Sequence, residues 1–473
     1  MPGELIIEPP CAIEPSNTPI ITCRAVDDYA ASFEDWTGRR EVPTLGTNAG
    51  AEQLPFQSWL HFKESFSPEV VARAVNGSLI PVHSCIDPFG GSGTTALACQ
   101  FLGIEATTIE VNPFLADVIE AKLTGYDLVS LAKDLRFIRR YVTDTNGAYT
   151  SLSSQLPSTF IEPGVNNRWI FNKVVASRIV AYRSAISMLP LEENRRFFRV
   201  VLGGILVSIS NVRINGKGRR YRRNWLTLAK SAKLVDQLFS TAVQVALRDI
   251  VRFGRRRSNS HVVLRGDCKA ILENRPQSDI AVFSPPYPNS FDYTDVYNLE
   301  LWMLGYLSSF DDNRKLRSST LSSHVQIKRE FTQAPSQSAE LIQTISRLDE
   351  KRSLLWNKSI PEMIGGYFAD LIQVIQSLQK TLSNQGSVWM VVADSRYADV
   401  RIDTALIIVQ LAREFGWAST RSEALRSIRS SPQQGGTLIF MKLSLYLQKS
   451  SLLHLACDNF PISRSRRIQI PSF

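Results

Sequence analysis

Histidine and cysteine are scarce in this chain, 5 and 6 in 473 residues. The cysteines, at positions 11, 23, 85, 99, 268 and 457, are scattered, with no Cys-x-x-Cys pair and no histidine cluster at metal-ligand spacing. That excludes a structural zinc module and the zinc-activated water of a nucleobase deaminase, and it points to a metal-free protein of a reducing cytoplasm. A long apolar run is also missing. The longest, Phe197 to Ile209, is interrupted by Arg199, Gly203 and Gly204 and falls short of the roughly 20 residues that cross a bilayer, so a buried helix and no membrane association are expected. The opening Met1-Pro-Gly-Glu-Leu-Ile-Ile-Glu lacks the basic and apolar regions of a secretory signal. Acids are outnumbered by bases, and the formal net charge of +10 favours a polyanionic partner such as nucleic acid.

What is present is an alternation of short apolar strands and helices. Ser84-Cys-Ile86 leads into Asp87-Pro-Phe-Gly-Gly-Ser-Gly-Thr94, and Thr95 to Leu102 reads as a helix. Glu105 to Glu110 reads as a strand and Pro113 to Leu123 as a second helix. Sheet-like sequence returns at His261–Arg265, Asp279–Ser284, Ser387–Ala393, Ser419–Leu425 and Thr437–Met441. The pattern predicts an α/β fold with a doubly wound, mostly parallel sheet and helical insertions. It divides the chain into an extended or loosely packed arm (1–55), the first sheet segment (56–124), a helical basic insertion (125–258), a second sheet segment (259–305), a polar variable insertion (306–360), the end of the sheet domain (361–445) and a tail (446–473).

A strand that hands over to a helix through glycines exposes several backbone N–H groups with no Cβ in a ligand's way, which suits a nucleotide-like molecule. About twenty residues on, Glu110 ends the next strand, where a carboxylate can accept from both ribose hydroxyls. Gly91-x-Gly93-x-x-Ala96 also fits a dinucleotide fingerprint, whereas no Gly-Lys-Ser/Thr follows to make a Walker phosphate loop. Asp87 separates the remaining readings. A carboxylate can engage a charged amino group but has no use beside a pyrophosphate.

Ser284-Pro-Pro-Tyr287 follows an apolar strand and therefore sits at the carboxyl edge of the sheet, where open α/β sheets bind ligands. Hydrogen bonds from an exocyclic amine to the Ser284 side chain and to a carbonyl within Pro285-Pro286 would make that nitrogen more tetrahedral and more nucleophilic. The prolines fix the turn, and Tyr287 offers a stacking face to an extruded base. Read alone, the tetrapeptide is equally a proline turn capping a strand.

Taken in order, these residues resemble the amino-methylating DNA methyltransferases, whose S-adenosylmethionine motif is similar to Asp-Pro-Phe-x-Gly-Ser-Gly-Thr. The resemblance covers about half of the chain, the sheet elements. It implies S-adenosylmethionine as cofactor, held by Lys63, Asp87, Phe89, Gly90, Gly91, Gly93, Thr94, Glu110, Asp267 and Cys268. Within that set the resemblance assigns the segment around Trp59–Lys63 to closing over the methionine portion, Glu110 to the ribose and Asp267 to the adenine amine. It implies Ser284, Pro285, Pro286 and Tyr287 as the catalytic group, double-stranded DNA as partner and a restriction-modification setting with a cognate restriction endonuclease. Ser in the first position is typical of members that modify cytosine N4, against adenine N6, and an RNA amino-methyltransferase shares the same logic. A cytosine-C5 enzyme is disfavoured, because the only Pro-Cys dipeptide is Pro10-Cys11.

The stretch Asn289–Tyr297 carries aromatic and polar groups suited to a base pocket, Phe291, Asp292 and Tyr293 among them, and Asp394 and Ser395 join the site after the next strand. In the basic insertion, Arg213, Lys217, Arg219, Arg220, Arg222 and Arg223 surround two glycines and a tyrosine without an acid, a pattern suited to phosphate contacts. Arg252 and Arg255–Arg257 repeat the bias, and a solvated face is the plain alternative.

Overall fold

The computed structural model describes residues 30–42, 44–144, 155–215, 218–227, 230–256, 260–275, 277–429 and 439–449. In chain order its strands are β1 (Ser84–Asp87), β2 (Glu105–Glu110), β3 (Val212–Asn215), β4 (Gly218–Tyr221), β5 (His261–Arg265), β6 (Ser278–Phe283), β7 (Leu382–Ala393), β8 (Ser395–Tyr397), β9 (Val400–Ile402), β10 (Trp417–Arg429) and β11 (Ile439–Lys449). Seven of them form one sheet in the order β10-β11-β7-β6-β1-β2-β5. β5, β2, β1, β6 and β7 run parallel, whereas β11 is antiparallel to both of its neighbours. From β1 the chain winds outward through β2 to β5, then returns to β6 beside β1 and winds the other way. This is a doubly wound sheet, and its switch point lies between β1 and β6.

Both sheet faces are covered, as the strand sequences require. Cys85, Ile280 and Val282 face one core and Ile86, Ala281 and Phe283 the other. The first core holds helix Thr94–Leu102, buried from Thr94 to Phe101, and helix Pro113–Leu123. Asn112 caps the second helix by accepting from the amides of Phe114 (3.0 Å) and Leu115 (3.3 Å), with Pro113 in its first turn. The other face is built on the long helix Ile360–Thr381, with Tyr367, Phe368 and Leu371 buried, and on helix Thr404–Arg413.

Between β2 and β5 the chain carries helices Leu128–Asp144, Lys173–Ser187, Glu192–Ile209 and Ala232–Arg252 and the β3-β4 hairpin. The apolar run lies within the buried helix Glu192–Ile209. A buried carboxylate, with Glu120 beside it, ties this region to the sheet. Asp117, with only 4% of its side chain exposed, meets Arg199 at 2.9 Å, Arg265 at 2.7 Å and the Tyr306 hydroxyl, with Arg196 at 3.6 Å. It thereby links helix Pro113–Leu123, the inserted helix Glu192–Ile209, the end of β5 and the start of the second insertion.

Several boundaries differ from the sequence reading. The described part of the 1–55 arm is packed: Ser32 caps helix Phe33–Thr37 with a capping box, and Trp36 stacks on Phe101 at 4.8 Å. Buried Phe33, Trp36 and Leu54 supply enough apolar surface to order a segment rich in turn residues. β11 runs to Lys449, past the expected start of the tail, because it pairs along its length between β7 and β10. The polar stretch 306–360 contains helices Phe310–Ser318 and Ala339–Glu350. Among the described residues, no helix is long and apolar enough to cross a membrane, and no group of His, Cys, Asp and Glu is placed to hold a metal.

Candidate active site

A cavity of about 1090 Å³, its open mouth included, lies over the carboxyl ends of β1, β2 and β6, at the switch point of the sheet. The glycine loop forms its floor. Gly90 donates to the Ile109 carbonyl at 2.9 Å, and a Cβ there would stand 2.4 Å from the Thr108 methyl. The loop can therefore press onto β2 only without a side chain. At Gly91, where φ is +52°, the amide donates to Glu110 at 2.7 Å while Phe62 covers the Cα. The other Glu110 oxygen accepts from the Asn112 amide at 2.8 Å, so this carboxylate both ends β2 and holds the loop. Below the loop, the buried Lys122 ammonium donates to the Ser92 carbonyl (2.7 Å) and to Gln57 (3.1 Å), and Gln57 in turn donates to Thr94 (3.3 Å).

Asp87, 3% exposed, accepts from the Phe89 amide at 2.9 Å. Burial pushes both Asp87 and Glu110 up to about 7, Glu110 with a further contribution from Asp87. Glu64, which accepts from the Tyr297 hydroxyl at 3.1 Å, is also raised by burial. With Asp267 these make four carboxylates in the cavity wall, which contains no Lys or Arg among the described residues. That electrostatic character suits a ligand with positive charge and opposes a pyrophosphate.

Of the residues assigned to a cofactor by sequence, Asp87, Phe89, Gly90, Gly91, Thr94, Glu110, Asp267 and Cys268 line the cavity, whereas Lys63 and Gly93 do not. Lys63 is exposed and donates to the Ile214 carbonyl of β3 at 3.2 Å, leaving its neighbours Phe62, Glu64, Ser65 and Phe66 in the wall. Gly93, at φ +81°, starts helix Thr94–Leu102 with its Cα against Ile119. Asp267 caps the short helix after β5, accepting from the Lys269 amide at 2.9 Å.

Ser284, Pro285, Pro286 and Tyr287 all line the same cavity. The Ser284 hydroxyl donates to the Val391 carbonyl of β7 at 2.8 Å and lies 3.1 Å from the Tyr287 hydroxyl. With its proton committed to a carbonyl, Ser284 Oγ presents lone pairs as an acceptor. The geometry matches what an amine donor needs.

Elsewhere the assignments change. Tyr293 lines the cavity, its hydroxyl accepting from the Tyr287 amide at 3.4 Å, but Phe291 and Asp292 stay outside the lining. Phe291 packs edge-on to Tyr293 at 4.6 Å, and Asp292 caps the next helix and pairs with Arg317. Asp394 is bound to Arg401 at 2.6 Å and Ser395 lies in β8, neither in the cavity wall. Thr294 and Tyr297, at the end of the Asn289–Tyr297 stretch, also line the cavity; the sequence reading missed Glu64 and, from the second insertion, Ser319, Thr320, Leu321, Ser323 and His324. Glu64 adjoins the assigned Lys63 and was within reach of the motif. The stretch from Ser319 to His324 carries no motif and enters the site only through folding.

Among the basic residues, Arg213 and Arg220 face each other across the β3-β4 hairpin, both exposed, and Arg223 is exposed beyond it. Arg219 turns inward to Asp295 at 3.4 Å. Arg222 caps helix Glu192–Ile209 through the Val207 carbonyl at 3.1 Å. Lys217 and Arg257 lie outside the described residues. Arg256 is no phosphate ligand: it is buried, donating to the Lys122 (3.0 Å) and Thr124 (2.6 Å) carbonyls over the Phe56 ring. Through Lys63 and Asp295, the hairpin stands beside two stretches of the cavity wall.

No family model matches the chain. Curated relatives do. The Type II methyltransferase M.AvaI of Nostoc sp. is 28% identical over 428 residues, covering 81% of this chain and 83% of the relative. The Type II methyltransferase M.BsoBI of Geobacillus stearothermophilus is 23% identical over 418 residues, covering 80% and 81%. Among solved structures, the rRNA methyltransferase aviRa of Streptomyces viridochromogenes superposes with a TM-score of 0.27 at 11% identity, over 89% of this chain and 92% of that one.

The doubly wound sheet and the cavity at its switch point define the class, a methyltransferase of the Rossmann-like fold. Within that class the chain is similar, over 81% and 80% of its length, to the Type II methyltransferases M.AvaI and M.BsoBI.

Proposed function

We propose that the chain transfers a methyl group from S-adenosylmethionine to the exocyclic N4 of cytosine in double-stranded DNA, at a specific site and in a restriction-modification setting. The observation that carries this reading is one cavity joining a wall of four carboxylates, of which Asp267 is paired with Lys269 at 3.2 Å, to the acceptor face of Ser284. When bound, S-adenosylmethionine supplies an electrophilic methyl on a positively charged sulfonium. Asp87, Glu64 and the glycine loop would hold its methionine end, Glu110 its ribose, and Asp267 its adenine. Ser284 Oγ and the Pro pair would accept hydrogen bonds from the target amine, directing its lone pair at the methyl, so that the protein contributes positioning and electrostatics. Ser284 in the first position supports cytosine over adenine. Modification-sensitive sequencing of DNA from cells expressing the chain tests the reading: N4-methylcytosine at one sequence is expected, whereas N6-methyladenine would overturn the choice of base and unmodified DNA the choice of substrate.

The carboxylates make a pH prediction. A positively charged ligand favours ionised Asp87 and Glu110, and protons compete with it below about 7. S-adenosylmethionine affinity should therefore rise between pH 6 and 8, approaching about tenfold per pH unit for each proton displaced. The ligand-free protein should show the opposite trend in stability. Both groups are raised above the ordinary carboxylate range of about 4, so their contribution is complete below that pH and is lost as pH rises through 7. Calorimetric titration at three pH values checks the first trend; a flat profile, or tight binding of NAD, would refute the electrostatic argument.

Arg213, Arg220 and Arg223 are the residues we assign to DNA phosphates. Like charges placed opposite one another on a hairpin repel unless a polyanion lies between them. Replacing all three by Ala should weaken DNA binding and reduce the slope of log affinity against log salt by about 2 to 3, close to 0.9 for each phosphate no longer neutralised. Fluorescence anisotropy over a salt series measures it, and an unchanged slope would remove the hairpin from the interface.

A further inference from the structure

A lysine beneath the glycine loop takes no part in the proposed transfer. Lys122, on helix Pro113–Leu123, is 1% exposed, and burial alone draws it down to about 7, with no carboxylate opposing the shift. An amine buried without an ion pair costs stability that a methionine of similar length would not. Its two hydrogen bonds both lead to the cavity wall. One goes to the Ser92 carbonyl at 2.7 Å. The other goes to Gln57 Oε1 at 3.1 Å, and Gln57 Nε2 donates on to Thr94 Oγ1 at 3.3 Å. Thr94 Oγ1 lies 2.6 Å from Ser65 Oγ, and Ser92, Thr94 and Ser65 all line the cavity. Both bonds from Lys122 use N–H donors that the side chain carries whether it is charged or neutral.

Ser92 needs such a hold. It stands between Gly91 and Gly93, at φ +52° and +81°, so no neighbouring Cβ resists rotation of the peptides on either side. The Ser92–Gly93 peptide is fastened at both ends, its carbonyl to Lys122 and its N–H to the Gly90 carbonyl at 2.8 Å. With that carbonyl held in the core, the amides of Ser92, Thr94 and Thr95 are free donors, since they meet no acceptor among the described residues. The cavity wall around them has four carboxylates and no Lys or Arg among the described residues, so a ligand carboxylate depends on those amides.

We infer that Lys122 is a positioning residue for the carboxylate of the cofactor's methionine end: it keeps the Ser92 carbonyl out of the cavity and, through Gln57, anchors Thr94 at the start of the next helix. This rests on the proposed function, in which the glycine loop holds that end, and adds a residue behind the loop that none of the motifs contains. Without Lys122 the Ser92 carbonyl can turn to the cavity and set an oxygen against the ligand carboxylate. Glu110 and Asp267, on the nucleoside side, keep their own partners.

Two ligands and two variants test it. S-Adenosylhomocysteine carries the amino-acid end and methylthioadenosine lacks it, and neither has a charge on sulfur. Calorimetry measures both affinities for the full chain in three forms: the wild type; Lys122→Met, which keeps the length of the stem without its donors; and Gln57→Met, which leaves the bond to Ser92 and cuts the arm to Thr94. For Lys122→Met the expected loss is about 30-fold for S-adenosylhomocysteine, the scale of one hydrogen bond to a charged group, with methylthioadenosine within about threefold. Gln57→Met should lose about fivefold, again only for the ligand with the amino-acid end. A lysine that merely supports the core would lower the affinity for both ligands alike or for neither, and either outcome in Lys122→Met would overturn the assignment. Should that variant fail to fold, the same comparison in Gln57→Met decides. A wild type that binds neither ligand would overturn the proposed cofactor and this inference with it, whereas one that binds both but leaves DNA unmethylated would overturn only the proposed substrate.

Discussion

Replacing Ser284 by Ala is expected to lower methyl transfer by about 100- to 1000-fold, the scale of losing one hydrogen bond that strengthens in the transition state. Cofactor affinity should stay within a few fold. The hydroxyl has two neighbours. Its proton goes to the Val391 carbonyl and its oxygen faces Tyr287, so its free capacity is that of an acceptor in a fixed direction. Deleting it also leaves the Val391 carbonyl one donor short, a structural cost of about 1 kcal/mol that folding can absorb. Tyr287→Ala removes the stacking face, worth about 1 to 3 kcal/mol for a base on an aromatic ring, and should cost activity by a comparable route. Single-turnover transfer of a tritiated methyl separates chemistry from product release. Near-normal rates in both variants would refute the catalytic assignment.

Asp117→Ala should be among the most destabilising single changes, at about 3 kcal/mol. The carboxylate is nearly inaccessible, and three arginines and a tyrosine converge on it. Removing it leaves Arg196 and Arg265 with Glu120 alone, at 2.8 and 2.9 Å, and Arg199 with Glu192 at 3.9 Å, so three cations lie near one another with less opposing charge. The arginines keep some solvent, with 19 to 40% of their side chains exposed, which holds the expected loss near the lower end for buried pairs. Because Asp117 lies outside the cavity wall, the effect should appear in the urea midpoint and not in the cofactor affinity of the protein that remains folded. Asp117→Asn, which retains acceptor oxygen without charge, should fall between. An unchanged midpoint for Ala would mean that the cluster contributes no more than exposed ion pairs do.

Much of the architecture was legible because its signals are local. Glycines at a strand-to-helix turn, Asn-Pro at a helix start and runs such as Asp279–Phe283 act within a few residues of themselves, and β1, β2, β5 and β6 lie where the sequence reading put them to within a residue. Glu110 and Asp87 were found for the same reason: each ends a strand, and strand ends of a doubly wound sheet meet at one edge. The arginines were read less well. Composition marks the cluster at 213–223 as basic, but whether an arginine is free for phosphate depends on what lies opposite it. Arg219 has Asp295, and Arg256 has the Lys122 and Thr124 carbonyls and the Phe56 ring, partners far away along the chain.

By itself, then, the sequence determined the sheet, the glycine loop, the carboxylate that ends β2 and the Ser-Pro-Pro-Tyr element, since each is specified by backbone stereochemistry over a short span. Only the tertiary structure decided that the arm from residue 31 packs on the core through Phe33 and Trp36, that the second insertion walls the cavity with residues between Ser319 and His324, and that the described wall holds four carboxylates and no Lys or Arg. Those properties are sums over residues distant in the chain. Burial and charge are fixed by what folding brings together.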